Sequence, residues 1–363
     1  MLKSTYAIAP LPPVAELETV PVLREVARAH RYLAELKGRA GTIPNQGILI
    51  DTLSLQEARA SSEIENIVTT QDEMFQATLF PEGPEGGPAK EVALYRDALK
   101  RGFDRLIETK GLLTNNTIIE MFQVLKRTQG EFRETPGTAL RNEATGETVY
   151  VPPQDRDTII AQMTALERFL NDETVSDLDP LIKMALIHHQ FESIHPFPDG
   201  NGRIGRILNV LYLTKMELLD IPILYLSRYI TTHKAEYYRL LQQVRDDGKW
   251  EAWLLYMLRA VAETSIQTLE LVQGVGGLMA NYKTRLRTEH PKLYSQDLLN
   301  NLFRHPYTRI EFLQNELGVV RQTAAKYLDD LAATGLLEKH SQGRNNYYVN
   351  RPLMNLLLRV SGG

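Results

Sequence analysis

The sequence predicts a mainly α-helical protein with one small β-hairpin and a mixed C-terminal unit. Apolar residues recur at helical spacing through most of the 363 residues, which predicts a succession of amphipathic and buried helices. Alternation typical of strands occurs in only two short places, near residues 138–151 and 335–349. Hydrophobic residues make up 43% of the chain and charged residues 24%, which is ordinary for a soluble globular protein of two or three domains.

Net charge and residue usage exclude several classes of protein. The net charge of −4 gives no bulk electrostatic reason to expect nucleic acid or a membrane surface as a partner. Because the chain has no cysteine, disulfides, thiolate catalysis and cysteine-ligated zinc are excluded. The sequence has neither a secretion signal nor an apolar run of membrane-spanning length, so we expect a cytoplasmic protein without membrane contact.

The N-terminal part is predicted to be a helical extension. Its proline-rich first residues suggest an extended arm, and a helix begins near Pro21. A second helix is expected to start at Ser54, because Ser54 and Glu57 form a capping-box pattern. Further along this helix, Ser61 and Glu65 lie one turn apart on a face of small side chains. A carboxylate buried on such a face requires a cation.

The middle of the chain alternates between helices and breaks. Pro81–Ala89 reads as a flexible linker, and helices are expected from Glu91 and from Asn116 onward. A long helix starts at Trp250. We expect it to kink or break at Gly274–Gly277, because each interior glycine costs a helix about 1 kcal/mol.

A twelve-residue stretch, HPFPDGNGRIGR from His195 to Arg206, lies between two strongly apolar helical patterns. Asp179 and Pro180 predict the N-cap and first position of the helix that leads to it. The glycines and asparagine within the stretch tolerate left-handed backbone conformations. The sequence therefore predicts a tight loop that opens a second core helix.

The side chains of this loop point to phosphate chemistry. His195 is suited to act as a general base near neutral pH. The N–H groups of Gly200–Gly202 can bind an anion at the helix start, and Arg203 and Arg206 on one face suit a polyphosphate. Asp199 is a hard oxygen ligand that suits Mg²⁺ held jointly with phosphate oxygens. Together they predict attack of a hydroxyl group on a metal-bound nucleotide phosphate.

The same stretch resembles the Fic-domain signature HxFx(D/E)GNGRxxR at every defined position. The resemblance implies an all-helical Fic core that transfers AMP from ATP to a protein hydroxyl group. His195 would be the base, and Asp199 would hold Mg²⁺. The residues implied to bind the nucleotide are Gly200, Asn201, Gly202, Arg203, Ile204, Gly205 and Arg206, with Tyr237 and Tyr238 beside the adenosine.

A second motif lies upstream, where SSEIEN at residues 61–66 resembles the Fic inhibitory motif (S/T)xxxE(G/N). Ser61, Glu65 and Asn66 match its defined positions, within a helix expected at about 54–67. The resemblance implies that Glu65 pairs with Arg206 and occupies the space of the γ-phosphate. The alternative is an ordinary amphipathic helix with a solvated glutamate.

The predicted hairpin resembles the Fic flap, which docks the main chain of the target. Its first strand is expected at 138–141 and its second at 147–151. The ending YVPP matches the family pattern. The residues implied to dock the target are Glu147, Thr148, Val149 and Tyr150. The alternative is a plain surface hairpin.

The C-terminal unit resembles the winged-helix superfamily. A helix at Ile310–Leu317, a turn at Gly318, a helix at Val320–Ala333 and two strands follow in that order. The side chains expected to be exposed on the second helix or the wing tip are Arg321, Gln322, Thr323, Lys326 and Arg344. Six basic against five acidic residues in 301–350 leave DNA binding open, beside dimerisation or target docking.

The sequence therefore divides into an N-terminal extension (1–90), a Fic catalytic domain (91–285) and a winged-helix domain (290–363). We expect an adenylyltransferase that uses ATP and Mg²⁺, is inhibited by Glu65 and acts on an unidentified protein or on itself. A homodimer and a monomer both remain open. Two alternatives are removal of AMP at the same site and a DNA-binding regulator whose Fic site senses nucleotide.

Overall fold

Helices dominate the structure, a computed structural model that describes residues 6–70, 73–75, 87–141, 145–342 and 345–361. The helices are α1 (Val20–Ala40), α2 (Gly47–Ile64), α3 (Pro88–Glu108), α4 (Asn115–Lys126), α5 (Arg156–Asn171), α6 (Pro180–Ile194), α7 (Asn201–Lys215), α8 (Ser227–Thr232), α9 (Lys234–Asp247), α10 (Trp250–Glu289), α11 (Gln296–Arg304), α12 (Ile310–Leu317), α13 (Arg321–Ala333) and α14 (Arg351–Ser361). The strands are β1 (Leu140–Arg141), β2 (Thr148–Tyr150), β3 (Tyr307–Arg309), β4 (Glu338–Gln342) and β5 (Asn345–Val349). The predicted mainly helical class is confirmed.

Helices α6 and α7 flank the signature loop and are buried on nearly all sides. As predicted, Asp179 caps α6 by accepting a hydrogen bond from the amide of Leu181 (2.8 Å), and Pro180 occupies the first turn. The two helices pack closely at Gly205, where a β-carbon would come within 2.8 Å of Glu192 Oε1. This close packing fixes the loop between α6 and α7, which carries the signature.

Helix α2 starts earlier than the sequence predicted, so the capping-box prediction is wrong. It begins at Gly47, and Ser54 lies in its interior with its hydroxyl donating to the carbonyl of Ile50. The apolar residues upstream, such as Ile48 and Leu49, are fully buried and extend the packed face by two turns. Tertiary burial therefore outweighs the local N-cap signal.

Helix α10 runs for 40 residues without interruption, so the break predicted as one outcome at Gly274–Gly277 does not occur. A β-carbon at Gly274 would come within 2.7 Å of Leu356 in α14. The glycine is thus needed for close approach of the two helices, and the resulting packing offsets its low helix propensity. The same helix packs along α1, so it joins the two ends of the chain.

The C-terminal part has the predicted helix–turn–helix and wing, with Gly318 in the turn at φ +66°. The sequence did not predict β3, which joins β5 and β4 in a three-stranded antiparallel sheet of order β3-β5-β4. Three residues are too short to show a strand period. Arg321, Gln322 and Lys326 are exposed and Thr323 is half-buried; Arg344 and most of the Pro81–Ala89 linker lie outside the described residues.

Candidate active site

Hydrogen bonds to the main-chain groups of the signature loop hold the loop in place. His195 ends α6 in the left-handed region (φ 51°), which turns the chain sharply away from the helix. Asn201 accepts from the amide of Phe197 and donates to its carbonyl, both at 2.8 Å. Arg133 Nε donates to the His195 carbonyl (2.9 Å) and the Arg133 amide to the Pro196 carbonyl (2.8 Å). The loop is therefore rigid before any ligand arrives.

The imidazole of His195 is kept neutral by its surroundings. Burial, together with the nearby Arg133 and Arg245 guanidinium groups, lowers the pKa of His195 to about 4. Within the described part of the chain, its Nδ1 is buried without a hydrogen-bond partner. A neutral imidazole at pH 7 can accept a proton, as a general base must.

The start of α7 carries the backbone N–H groups of the predicted anion site. Gly200 caps the helix at φ +79°, a conformation that favours glycine. The first-turn amides of Asn201, Gly202 and Arg203 have no partner within the helix. A β-carbon at Gly202 would overlap Glu65 Oε1 and come within 2.9 Å of Arg206 Nη1. A carboxylate of the chain itself thus lies against the predicted anion site.

Glu65 and Arg206 form the ion pair that the sequence predicted. Arg206 Nη2 lies 2.8 Å from Glu65 Oε1 and 3.0 Å from the Ser61 carbonyl, and Arg206 Nε donates to Ser61 Oγ at 2.8 Å. The arginine side chain is only 1% exposed, whereas the glutamate is 34% exposed. Burial opposes the charge of Arg206, but the pair with Glu65 outweighs it and raises the pKa of the guanidinium.

The geometry also accounts for Asn66, the last residue of the SSEIEN stretch. Helix α2 ends at Ile64, and Asn66 takes φ 60°, which glycine and asparagine tolerate best. The Ile67 amide donates back to the Ser62 carbonyl (3.0 Å), closing a Schellman-type turn. Lys234 of α9 also donates to the Asn66 side chain at 3.0 Å. This turn fixes the direction in which Glu65 leaves the helix.

The remaining charged residues of the loop are paired as well. Arg203 Nη1 lies 2.7 Å from Glu91 Oε2, and its side chain is 3% exposed. Lys126 Nζ lies 2.6 Å from Asp199 Oδ2. Partial burial raises the pKa of Asp199, but the hydrogen bond from Lys126 and the charge of Arg203 outweigh it, so the pKa is lowered.

Asp199 fits a magnesium ion that is shared with phosphate. Its side chain is 65% exposed and already binds a cation, the Lys126 ammonium group. Among the described residues there is no cluster of three or more His, Cys, Asp or Glu that could enclose a metal. One carboxylate beside a phosphate site suffices for Mg²⁺, which keeps several water ligands.

The predicted flap is a short hairpin of β1 and β2, and Tyr150 anchors it. Tyr150 is fully buried, and its hydroxyl donates to the Ser193 carbonyl at 2.6 Å in α6. Thr148 and Val149 are exposed, and Glu147 lies just before the strand. Of the four predicted docking residues, three are therefore accessible to a partner, and Tyr150 holds the strand to the core.

The tyrosine pair is split between core and surface. Tyr237 is 1% exposed, and its hydroxyl lies 2.8 Å from His188 Nε2, in a cluster of rings with Trp253. Tyr238 is 46% exposed and meets Tyr237 edge to face. The Fic resemblance implies that both rings lie beside the adenosine, and only that of Tyr238 is accessible.

Several residues of the site have no signal in the sequence. Arg133 lies before the hairpin, outside any motif, and yet clamps the loop at two points. Glu57 was assigned to helix capping, which is wrong: it is 2% exposed and binds Ser227 and Tyr95 instead. Glu192, three residues before His195, is buried beside Gly205. Each depends on contacts far apart in sequence.

Family models match three parts of the chain. Residues 112–213 match the Fic/DOC family, and residues 23–104 match the Fic/DOC family N-terminal region. The chain belongs to the Fic/DOC family. Residues 278–353 of this Fic protein match the C-terminal domain of SoFic-like protein adenylyltransferases.

Relatives with curated names are similar over part of their length. A probable protein adenylyltransferase of Aquifex aeolicus is 30% identical over 50% of this chain and 54% of its own. Protein adenylyltransferase Fic of Drosophila erecta is 35% identical over 25% of this chain and 18% of its own. The chain spans about half or less of the curated relatives it matches.

Solved structures show the same fold. A Fic family protein from Desulfovibrio desulfuricans covers 91% of this chain, with 96% of its own length aligned, a TM-score of 0.54 and 19% identity. Fic-1 of C. elegans covers 70% of this chain, with 74% of its own aligned, a TM-score of 0.54 and 20% identity. None of the helices described here is long and apolar enough to span a bilayer.

Proposed function

We propose that this Fic protein is a protein adenylyltransferase restrained by Glu65. It transfers AMP from ATP to the hydroxyl group of a tyrosine, threonine or serine, on a target protein or on itself. The observation that carries the proposal is the contact of Glu65 Oε1 with Arg206 and Gly202, at the start of α7. The curated relatives named as protein adenylyltransferases support the reaction type.

Inhibition follows from competition for one guanidinium group. While Glu65 holds Arg206, the outer phosphates of ATP lose a buried cation and meet a carboxylate of like charge. ATP bound beside this pair takes a pose in which its α-phosphate is misaligned. Because Glu65 is 34% exposed and pairs with one charged group in the part of the chain that the structure describes, it can swing out without unfolding α2.

Transfer requires little covalent chemistry from the protein. His195 takes the proton of the acceptor hydroxyl group, and the hydroxyl oxygen bonds to the α-phosphorus. The bond between the α-phosphorus and the oxygen that bridges to the β-phosphate breaks, which releases pyrophosphate. The first-turn amides of Asn201–Arg203 stabilise charge on the α-phosphate. Arg203 and Arg206 bind the outer phosphates. Mg²⁺, held by Asp199, would neutralise phosphate charge.

The flap binds the target protein, and Tyr238 binds the adenine of ATP. The exposed edge of β2 at Thr148 and Val149 pairs with the main chain of the target and brings its side chain towards His195. Tyr238 has the exposed ring that can pack against adenine.

The test is the intact mass of the full chain and of the Glu65→Gly variant after incubation with ATP and Mg²⁺. We expect covalent addition of AMP to the variant, and none to the variant that also carries His195→Ala. If no AMP appears on Glu65→Gly or on proteins of a lysate supplied with labelled ATP, the proposal is overturned. Loss of AMP from a modified protein, requiring Glu65, would instead identify the reverse reaction.

A further inference from the structure

The segment that carries Glu65 continues to a buried aromatic residue. We call α2 together with residues 65–70 and 73–75 the inhibitory segment. After Glu65, the Glu73 carboxylate accepts from the Thr70 amide (2.8 Å) and from Thr69 Oγ1 (3.1 Å), which closes a turn. Met74 and Phe75 follow and are 0% and 2% exposed. The inhibitory segment is thus fixed beyond Glu65 as well as before it.

Phe75 is packed against the C-terminal domain. Its ring is parallel to that of Tyr307 in β3, with centroids 5.4 Å apart and an angle of 5° between planes. Tyr307 is stacked on Tyr347 in β5 (5.9 Å, 18°), and Tyr347 on His340 in β4 (5.2 Å, 12°). Four rings therefore cross the whole sheet, from the inhibitory segment to the outer wing strand.

The other end of the inhibitory segment also contacts this domain. Arg304 of α11 lies 3.4 Å from Asp51 of α2, and the same arginine lies 3.4 Å from Glu316 of α12. A β-carbon at Gly47, the first residue of α2, would come within 3.2 Å of Arg304 Nη2. Contacts with the C-terminal domain therefore bracket Glu65 on both sides in sequence.

We propose that the C-terminal domain holds Glu65 on Arg206, with Phe75 and Asp51 as the positioning residues. The inference rests on the proposed function, because it requires Glu65 to restrain the reaction. A single ion pair with a partly exposed glutamate is weak by itself. It becomes effective when its helix is anchored, because less conformational entropy is then lost on pairing.

The inference gives the wing a role in control. Separation of β3 from Phe75 removes the buried anchor of the segment that follows Glu65. The turn at Asn66 is then free to open, and Glu65 exchanges between Arg206 and solvent. Movement of the C-terminal domain thus becomes the event that relieves inhibition.

The test compares initial rates of AMP transfer by full-length variants with Glu65 present. We expect Phe75→Ala and Tyr307→Ala each to raise the rate by about five- to tenfold. The matched control Tyr307→Phe keeps the stacked ring and is expected to keep the wild-type rate. In a Glu65→Gly background, Phe75→Ala and Tyr307→Ala are expected to add nothing, because the inhibitor is already absent.

Hydrogen exchange distinguishes the release of α2 from general destabilisation of the fold. Hydrogen exchange should show faster exchange in α2 of the Tyr307→Ala variant, with the amides of α6 and α7 unchanged. Arg304→Gln, at a partly exposed position, provides an activation test should the aromatic variants fail to fold.

The proposed function and the further inference fail in different ways. Activation by Glu65→Gly but by none of the C-terminal variants would overturn the inference and leave the proposed function standing. Equal activation by Phe75→Ala with and without Glu65 would also overturn the inference. No AMP transfer by Glu65→Gly would overturn the proposed function itself.

Discussion

Two glutamates on the same helix have opposite environments. Glu57 of α2 is 2% exposed and accepts hydrogen bonds from Tyr95 Oη (3.1 Å), the Ser227 amide (2.9 Å) and Ser227 Oγ. Glu65, about two turns further on, is 34% exposed, and among the described residues its one ion pair is with Arg206. Glu57 therefore accepts from neutral donors on two other helices, whereas Glu65 is paired with a charged group.

This difference separates the anchoring of α2, which depends on Glu57, from the proposed inhibition, which depends on Glu65. Removing Glu57 from its site would strand three buried donors, so it stays in place. Removing Glu65 moves a partly solvated group into water, while Arg206 keeps its bonds to Ser61. Helix α2 can therefore remain attached to α3 and α8 while Glu65, at its C-cap, exchanges.

Replacing the anchor is expected to have the largest effect on stability. Glu57→Ala leaves Ser227 and Tyr95 without their acceptor and should lower the free energy of unfolding by about 3 kcal/mol. Thermal unfolding of full-length protein measures it, with Glu57→Gln as the milder control. A melting temperature equal to that of wild type would show that Glu57 does not anchor α2.

A third glutamate, the buried Glu192, extends the comparison to pH. Burial raises the pKa of Glu192 to about 7, and its Oε1 has no hydrogen-bond partner among the described residues. Since the folded pKa is raised, its contribution to stability is present at acid pH and is lost as pH rises through about 7. Melting temperatures from pH 5 to 8 should therefore fall more in wild type than in Glu192→Gln. Parallel curves would contradict this.

A weaker turn after Glu65 tests the proposed inhibition, and we expect a smaller rise in the rate of AMP transfer than for Glu65→Gly. Asn66→Ala strains a residue at φ 60° and removes the acceptor of Lys234, a loss of about 1 kcal/mol. We expect a severalfold rise in AMP transfer, measured as the initial rate with labelled ATP. Asn66→Gly relieves the strain and should stay closer to wild type. A lower rate in Asn66→Ala would argue against the turn as a support of inhibition.

The sequence predicted the parts of the site that are local. The loop from His195 to Arg206 and the cap at Asp179 depend on motifs of a few residues. The pairing of Glu65 with Arg206 spans 141 positions, and only the resemblance to the two Fic motifs implied it. Glu57 and the start of α2 could not be predicted, because burial by distant elements decided them. Tyr237 lies in the core for the same reason.

Long-range contacts also explain the errors outside the site. Gly274 reads as a helix breaker in sequence, but α14 packs against it and keeps α10 continuous. Strand β3 forms because it pairs with β5, and its three residues are too few to predict a strand from the sequence. Arg133 reaches the His195 carbonyl across 62 positions in sequence.

The most direct test of the central claim is the initial rate of AMP transfer by wild type and Glu65→Gly at the same ATP and Mg²⁺ concentrations. Withdrawal of the carboxylate from Arg206 and Gly202 should raise the rate about tenfold or more. The melting temperature should change far less than in Glu57→Ala. Equal rates for the two proteins, with both able to transfer AMP, would contradict the claim that Glu65 restrains the reaction.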